Sequence, residues 1–210
     1  SGGLAEAAGL ASALARFLDQ VQTEGLDLKD LKNLVPSEYA EHWQITLEFL
    51  EILSLNWPAI LTAEGAVDPA LRRDLLMRAQ VEHWQQNPPE APVYAIGSTG
   101  SIPATALLLK TVAEMPNGTV VLPGLDRQLD EKSWNAVRND ATHAQHGLAL
   151  LLDKLGLSRD DVSDLTDESA RTSTAARTSL LAEVLRPAET SDQWQQAKAP
   201  DKEALSGLRK

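Results

Sequence analysis

The sequence predicts a mostly helical α/β protein, and three observations carry that expectation. Apolar residues recur every three to four positions through long stretches at both ends of the chain, as in amphipathic helices. The segment Asn87-Pro-Pro-Glu-Ala-Pro92 cannot sustain a helix and divides the chain. Beyond it, two short apolar runs, Val93–Ile96 and Thr119–Leu122, bracket one helical stretch, which is the order of a βαβ unit in a parallel sheet.

The elements follow in order. Leu4, Ala7, Ala8, Leu10, Ala11, Leu14, Phe17, Leu18 and Val21 predict a helix that Gly25 closes. Leu28, Leu31 and Leu34 suggest a short helical turn before Pro36, which is expected to open a helix carrying Tyr39, Trp43, Leu47, Leu50, Leu53 and Leu55. The Trp57-Pro58 step is expected to kink or divide that helix, because proline lacks the N–H donor and crowds the preceding turn. Asp68-Pro69 reads as an N-cap and first-turn pair for a helix with Leu71, Leu75, Leu76, Ala79 and Trp84. After the first strand and Gly97-Ser98-Thr99-Gly100-Ser101, a helix is predicted from Pro103 to about Met115, then a turn at Pro116-Asn117-Gly118 and the second strand. Helices are then expected over about 130–138, 144–155 and 167–185, with a turn after Ser158, and residues 187–210 read as a polar, poorly ordered tail. Two strands are too few for a parallel sheet, so its other strands are expected from elsewhere in a longer chain.

Composition narrows the chemistry. The chain of 210 residues is 43% apolar, enough for a real core, and has no cysteine, which excludes disulfides, thiolate metal sites and cysteine nucleophiles within it. No apolar run approaches the roughly 20 residues that span a bilayer, no signal peptide pattern opens the sequence, and a cytoplasmic protein is expected. Ser1-Gly2-Gly3 reads as a tag remnant ahead of a piece of a longer protein. A net charge of −11 repels phosphates at long range and disfavours nucleic-acid binding by the free chain. The excess is uneven, with six basic and fourteen acidic residues in 1–92 against thirteen and sixteen in 93–210, so any anion contact is better placed in the second half.

The candidate for such a contact is the loop Gly97, Ser98, Thr99, Gly100 and Ser101, between a strand and a helix, where backbone N–H groups and the helix dipole can hold an anion. A plain tight turn with an N-cap is the simpler alternative. The loop lacks the Lys-Ser/Thr of a phosphate loop and the glycine fingerprint of dinucleotide folds. His143 and His146, three apart, could share a helical face as metal ligands do, but without cysteine or a spaced acidic partner a capping or packing role is favoured. Ser98 and Ser101 with the histidines make no hydrolase triad, because Ser98 is followed by Thr99-Gly100 and not by the spacing of a nucleophile elbow. Trp43 and Trp84 occupy apolar helical positions and read as core anchors, and the acidic residues of the first half read as solvated helix faces.

Four stretches carry a family resemblance: Pro92-Val-Tyr-Ala-Ile-Gly-Ser-Thr-Gly-Ser-Ile-Pro-Ala-Thr-Ala106, Val120-Val-Leu-Pro-Gly-Leu-Asp126, His143-Ala-Gln-His-Gly-Leu148 with Leu151-Leu152, and Leu185-Arg-Pro-Ala-Glu-Thr-Ser-Asp-Gln-Trp194. In these the chain resembles the AddB subunits of alphaproteobacterial AddAB helicase–nucleases. The blocks cover most of residues 90–195, whereas 4–86 is similar only in being helical and leucine-rich. The resemblance implies an internal part of a helicase-like body that has lost its motor, with an iron–sulfur nuclease domain and magnesium sites elsewhere in the parent protein and no cofactor in this segment. Its partners would be the AddA helicase–nuclease subunit and DNA, reached through the assembled complex, with no membrane. In active helicases of that superfamily the first of these strands ends in Asp-Glu, which holds magnesium. Here the corresponding stretch is Ile96-Gly97-Ser98-Thr99, and the second strand runs into Pro123-Gly124-Leu125-Asp126-Arg127-Gln128, a partial echo of a γ-phosphate sensor.

The expected organisation is therefore a helical accessory subdomain over 4–86, an inactive, partial P-loop-helicase-like βαβ core with helices over 93–186, and the tail from 187. The expected function is a non-catalytic structural or DNA-path segment of a double-strand-break repair enzyme. The alternative is a small α/β nucleotide- or anion-binding enzyme domain that uses the 97–101 loop.

Overall fold

The computed structural model describes residues 3–26, 40–165 and 168–196. The expected helical turn at Leu28–Leu34, the helix start at Pro36 and the side chain of Trp43 lie outside what it describes, as do residues 197–210. The described chain is mostly helical, with two parallel strands. It divides into two compact units. Residues up to Asn87 join Ile102–Leu108 in one, and Pro88–Ser101 join the residues from Leu109 onward in the other.

The first unit holds α1 (Leu4–Thr23), α2 (Ala40–Ala63) and α3 (Pro69–Gln86). Helix α1 ends as its glycine foretells: Gly25 takes a left-handed φ of 67°, and the Leu26 N–H reaches back to the Val21 carbonyl at 3.0 Å. Helix α2 runs unbroken through Pro58, contrary to the expected division. Proline forgoes one ladder bond and crowds the turn before it, but the turn after it holds: the Thr62 hydroxyl donates to the Pro58 carbonyl at 2.8 Å. The neighbouring Trp57 indole is tied to Asp68 Oδ2 at 3.2 Å. Asp68 is buried and caps α3 by accepting from the Ala70 amide, with Pro69 opening the first turn as the sequence predicts. Helices α1 and α3 pack together, and Arg73 Nη2 donates to Thr23 Oγ1 at 2.7 Å across them.

In the second unit, β1 (Val93–Ile96) and β2 (Gly118–Val121) pair in parallel with Val93 opposite Gly118 and Ile96 opposite Val121. They are the whole sheet among the described residues. Helix α4 (Pro103–Glu114) joins them, and its second half buries Leu109, Val112 and Met115. Gly118 starts β2 because no side chain fits there: a Cβ would lie 1.8 Å from the Val112 carbonyl oxygen. Alternation along the strands leaves Val93, Ala95 and Val120 half-buried on one face, while Tyr94 and Ile96 on the other are 65% and 70% exposed.

Helices α5 (Glu131–Asn139) and α6 (His146–Leu155) build the main core from Leu129, Trp134, Val137, Ala149 and Leu152, with Leu122, Leu125 and Val162 against it. Helix α5 is capped by Asp130, whose carboxylate accepts from the Ser133 amide at 3.0 Å, and Gly156 closes α6 in the left-handed region. A single 3-10 turn at Arg159–Asp161 follows, capped by Ser158 and Asp161, and then α7 (Glu168–Val184). Residues 188–196, expected as a polar tail, form a 3-10 helix seated on α5 with Thr190 buried. The sequence pattern misses it because its anchors are polar. The Thr190 and Ser133 hydroxyls meet at 2.9 Å, and no apolar periodicity marks them.

Candidate functional site

The loop predicted as an anion contact sits where expected, between β1 and α4, but much of its hydrogen bonding is turned inward. The Gly97 amide extends the parallel ladder by donating to the Val121 carbonyl at 3.1 Å, and the Gly100 amide donates to Ser98 Oγ at 3.2 Å. Gly97 and Gly100 have φ of 80° and 60°, the left-handed region that favours glycine. At Gly100 a second constraint acts, since a Cβ would lie 2.7 Å from Leu151 Cδ1 and 3.2 Å from Leu109 Cδ1. The two glycines thus have structural reasons to be there. Thr99 and Ser101 lie exposed and Ser98 half-buried, so the loop keeps polar groups at the surface without a carboxylate among its five residues.

The loop after β2 carries the other residues singled out from the sequence. Asp126 is engaged as a local cap: Oδ1 accepts from the amides of Gln128 and Leu129 at 2.8 and 3.1 Å, as short polar side chains do in turns. The Gln145 side chain clamps the same loop, accepting from the Asp126 amide at 3.0 Å and donating to the Gly124 carbonyl at 3.0 Å. Glu114, near the end of α4, pairs with Lys110 one helical turn away.

His143 and His146 lie in the turn between α5 and α6 and at the start of α6. His143 Nε2 meets the Leu185 carbonyl at 2.6 Å and its Nδ1 accepts from the Gln145 amide at 3.1 Å, while His146 Nδ1 meets the Val137 carbonyl at 3.0 Å. Both rings tie backbone segments together, the packing role favoured from the sequence. Among the described residues no three side chains of the metal-binding types gather into a metal-holding group. Asp140 in the same turn has its carboxyl held below the usual range, chiefly by hydrogen bonds from the Thr142 hydroxyl and amide, with the two histidines adding.

Two arginines, Arg159 buried and Arg186 half-buried, were not foreseen. Arg159 donates Nη1 to the carbonyls of Leu129 at 2.7 Å and Asp126 at 3.4 Å, pairs with Glu131, and lies 4.6 Å above the Trp134 ring, which is 2% exposed. Arg186, just after α7, reaches Asp130 Oδ2 at 2.5 Å, Ser133 Oγ at 2.7 Å and Gln193 Oε1 at 2.9 Å, and also pairs with Glu183. The Glu183 hydrogen bond leads the effects that raise its pKa, against the pull of burial. Burial opposes the charge on Asp130, yet the Ser133 amide and hydroxyl and the Arg186 guanidinium hold its carboxyl well below the usual carboxylate range. A lone arginine before a proline, as in Leu185-Arg186-Pro187, gives no spacing signal from which such a hub is read.

Among the described residues no helix is long and apolar enough to cross a membrane. Compared with known proteins, the chain matches no family model, no curated protein and no solved structure at a significant level.

Proposed function

We propose that this chain is a non-catalytic, helicase-like segment of an AddB-type subunit, serving as a structural or DNA-path element in an ATP-dependent helicase–nuclease that repairs DNA double-strand breaks. The observation that carries the reading is the unfinished sheet. Parallel sheets ordinarily have both faces covered and more than two strands, whereas here Tyr94 and Ile96 stand in solvent on one face. Such a sheet is stable as part of a larger one. The same reading accounts for the loops at the ends of the strands. The 97–101 loop has no carboxylate, that of Asp126 is used to cap its own turn, and Arg127 beside it is paired with Asp164, which supports a reading without phosphoryl-transfer chemistry. The AddA-type subunit and the rest of the parent chain would supply motor, nuclease and basic DNA contacts.

The test uses both the chain and the full subunit. The chain alone is expected to turn over neither ATP nor DNA with magnesium, and to bind DNA more weakly than micromolar at physiological salt. Turnover that survives repurification and disappears in a Ser98→Glu variant would make the loop a working site and the alternative enzyme reading correct. In the full subunit paired with its partner, Tyr94→Glu with Ile96→Lys is expected to abolish DNA unwinding. Unwinding at the unmodified rate would defeat the proposal.

A further inference from the structure

In the sequence an asparagine precedes a glycine once, at Asn117-Gly118, where the turn after α4 enters β2. The fold has a use for both residues. Gly118 is there because a Cβ would strike the Val112 carbonyl, and Asn117 Nδ2 donates to the Glu90 carbonyl at 2.9 Å. Together they also make a reactive pair, since glycine has no side chain to crowd its backbone nitrogen beside the asparagine Cγ. We propose that Asn117-Gly118 is a site of covalent modification, deamidation to aspartate or isoaspartate, which the closed β1–β2 pair protects and its opening exposes.

The reaction needs only water. With its proton lost to hydroxide, the Gly118 nitrogen attacks Asn117 Cγ and closes a five-membered imide, and the carboxamide nitrogen leaves as ammonia after taking a proton from water. Water then opens the imide. Addition at the former side-chain carbonyl gives aspartate, and addition at the former main-chain carbonyl gives isoaspartate, whose backbone is one methylene longer. In the closed turn the participants are occupied. The Gly118 N–H donates to the Met115 carbonyl at 3.1 Å, the carboxamide is held on Glu90, and the Asn117 carbonyl accepts from the Val93 amide at 2.9 Å. Attack breaks the first two bonds, and the third fixes the peptide plane between the reacting atoms. Asn117 is exposed, so the protection comes from these bonds and not from exclusion of water. A pair of four-residue strands opens more readily than a packed core. Either product then weakens the pair. A carboxylate cannot donate to the Glu90 carbonyl and sets a negative charge beside it, and the longer isoaspartate backbone cannot keep both the Val93 bond and the fit of Gly118 beside Val112.

Trypsin releases Thr111–Arg127, in which Asn117 carries the only side-chain amide, so mass spectrometry of that peptide reads this position alone. The full chain is incubated at about pH 8, folded in buffer and unfolded in guanidinium chloride. The unfolded chain is expected to convert, and the folded chain to convert at least about fivefold more slowly. Val120→Ala trims a half-buried side chain of β2 without touching the reacting atoms, and should raise the folded rate. In the purified isoaspartyl product, exchange protection of the Val93 amide should fall on the order of tenfold. A smaller difference between folded and unfolded rates, no conversion in denaturant, an unchanged rate in folded Val120→Ala, or full Val93 protection in the product overturns the proposal. The first comparison uses the unmodified chain, so a Val120→Ala variant that does not fold leaves it decisive.

Discussion

The two units place their apolar residues in opposite ways. Among described residues of the first, the buried apolar side chains are Leu18, Ala70, Val81, Ala104 and Ala106, while Leu10, Leu55, Ile60, Leu75 and Leu76 are exposed. The second closes a core around Trp134, Val137, Leu151 and Leu152, and adds Arg159, buried, and Arg186, half-buried, which hydrogen-bond loops and helix ends to it. The difference teaches that amphipathic periodicity specifies a helix but not that its apolar face finds a partner within the same chain.

The comparison can be broken at its strongest point first. Trp134→Ala removes the largest fully buried side chain together with the ring under Arg159, and is expected to cost about 4 kcal/mol by urea denaturation. A cost under about 1 kcal/mol would mean the second unit is no better packed than the first. Gly118→Ala should follow at roughly 3 kcal/mol, because the added methyl meets backbone that cannot swing away.

Replacing Arg186 with Met is expected to cost about 2 kcal/mol near neutral pH, through the lost contacts to Asp130 and Ser133. Its pH dependence sharpens the assignment. Asp130 has a lowered pKa in the folded chain, so its contribution is present above the unfolded value near 4 and is lost as pH falls below it. The urea midpoint of the unmodified chain should therefore drop more steeply from pH 5 to pH 3 than that of Arg186→Met. Asp140 and Asp161, also lowered by local hydrogen bonds, contribute equally in both. At the small end, Leu75→Gln should change stability by no more than about 0.5 kcal/mol, since the side chain is already in water. A larger loss would show that the first unit is packed after all.

Element type and order were legible in the sequence because they rest on local signals. Val93–Ile96 reads directly as a strand from its apolar run between turns, and Asp68-Pro69 and Gly156 mark helix ends where they occur. The second strand begins at Gly118, one residue before the expected Thr119, because the close approach to Val112 that demands glycine is a tertiary fact. The seated segment 188–196 escaped because its support is the Ser133–Thr190 bond, between residues 57 positions apart. Of the candidate site, the place of the 97–101 loop was legible, but the use of its amides was not. The ties made by Gln145, Arg159 and Arg186 join residues far apart in sequence, and no spacing announces them.

The 56 positions between Asp130 and Arg186 also set an order in time. At synthesis rates of about 5–20 residues per second, α5 leaves the ribosome roughly 3 to 11 s before its guanidinium partner exists. During that interval Asp130 and Ser133 face water without Arg186 and Thr190, and the helix they begin has no cap from the carboxyl-terminal side. Nascent chains arrested before residue 186 should accordingly be cut by protease within α5 sooner than chains extended through Gln196, so the arrival of Arg186 and Thr190 shortens the time that α5 is vulnerable during synthesis.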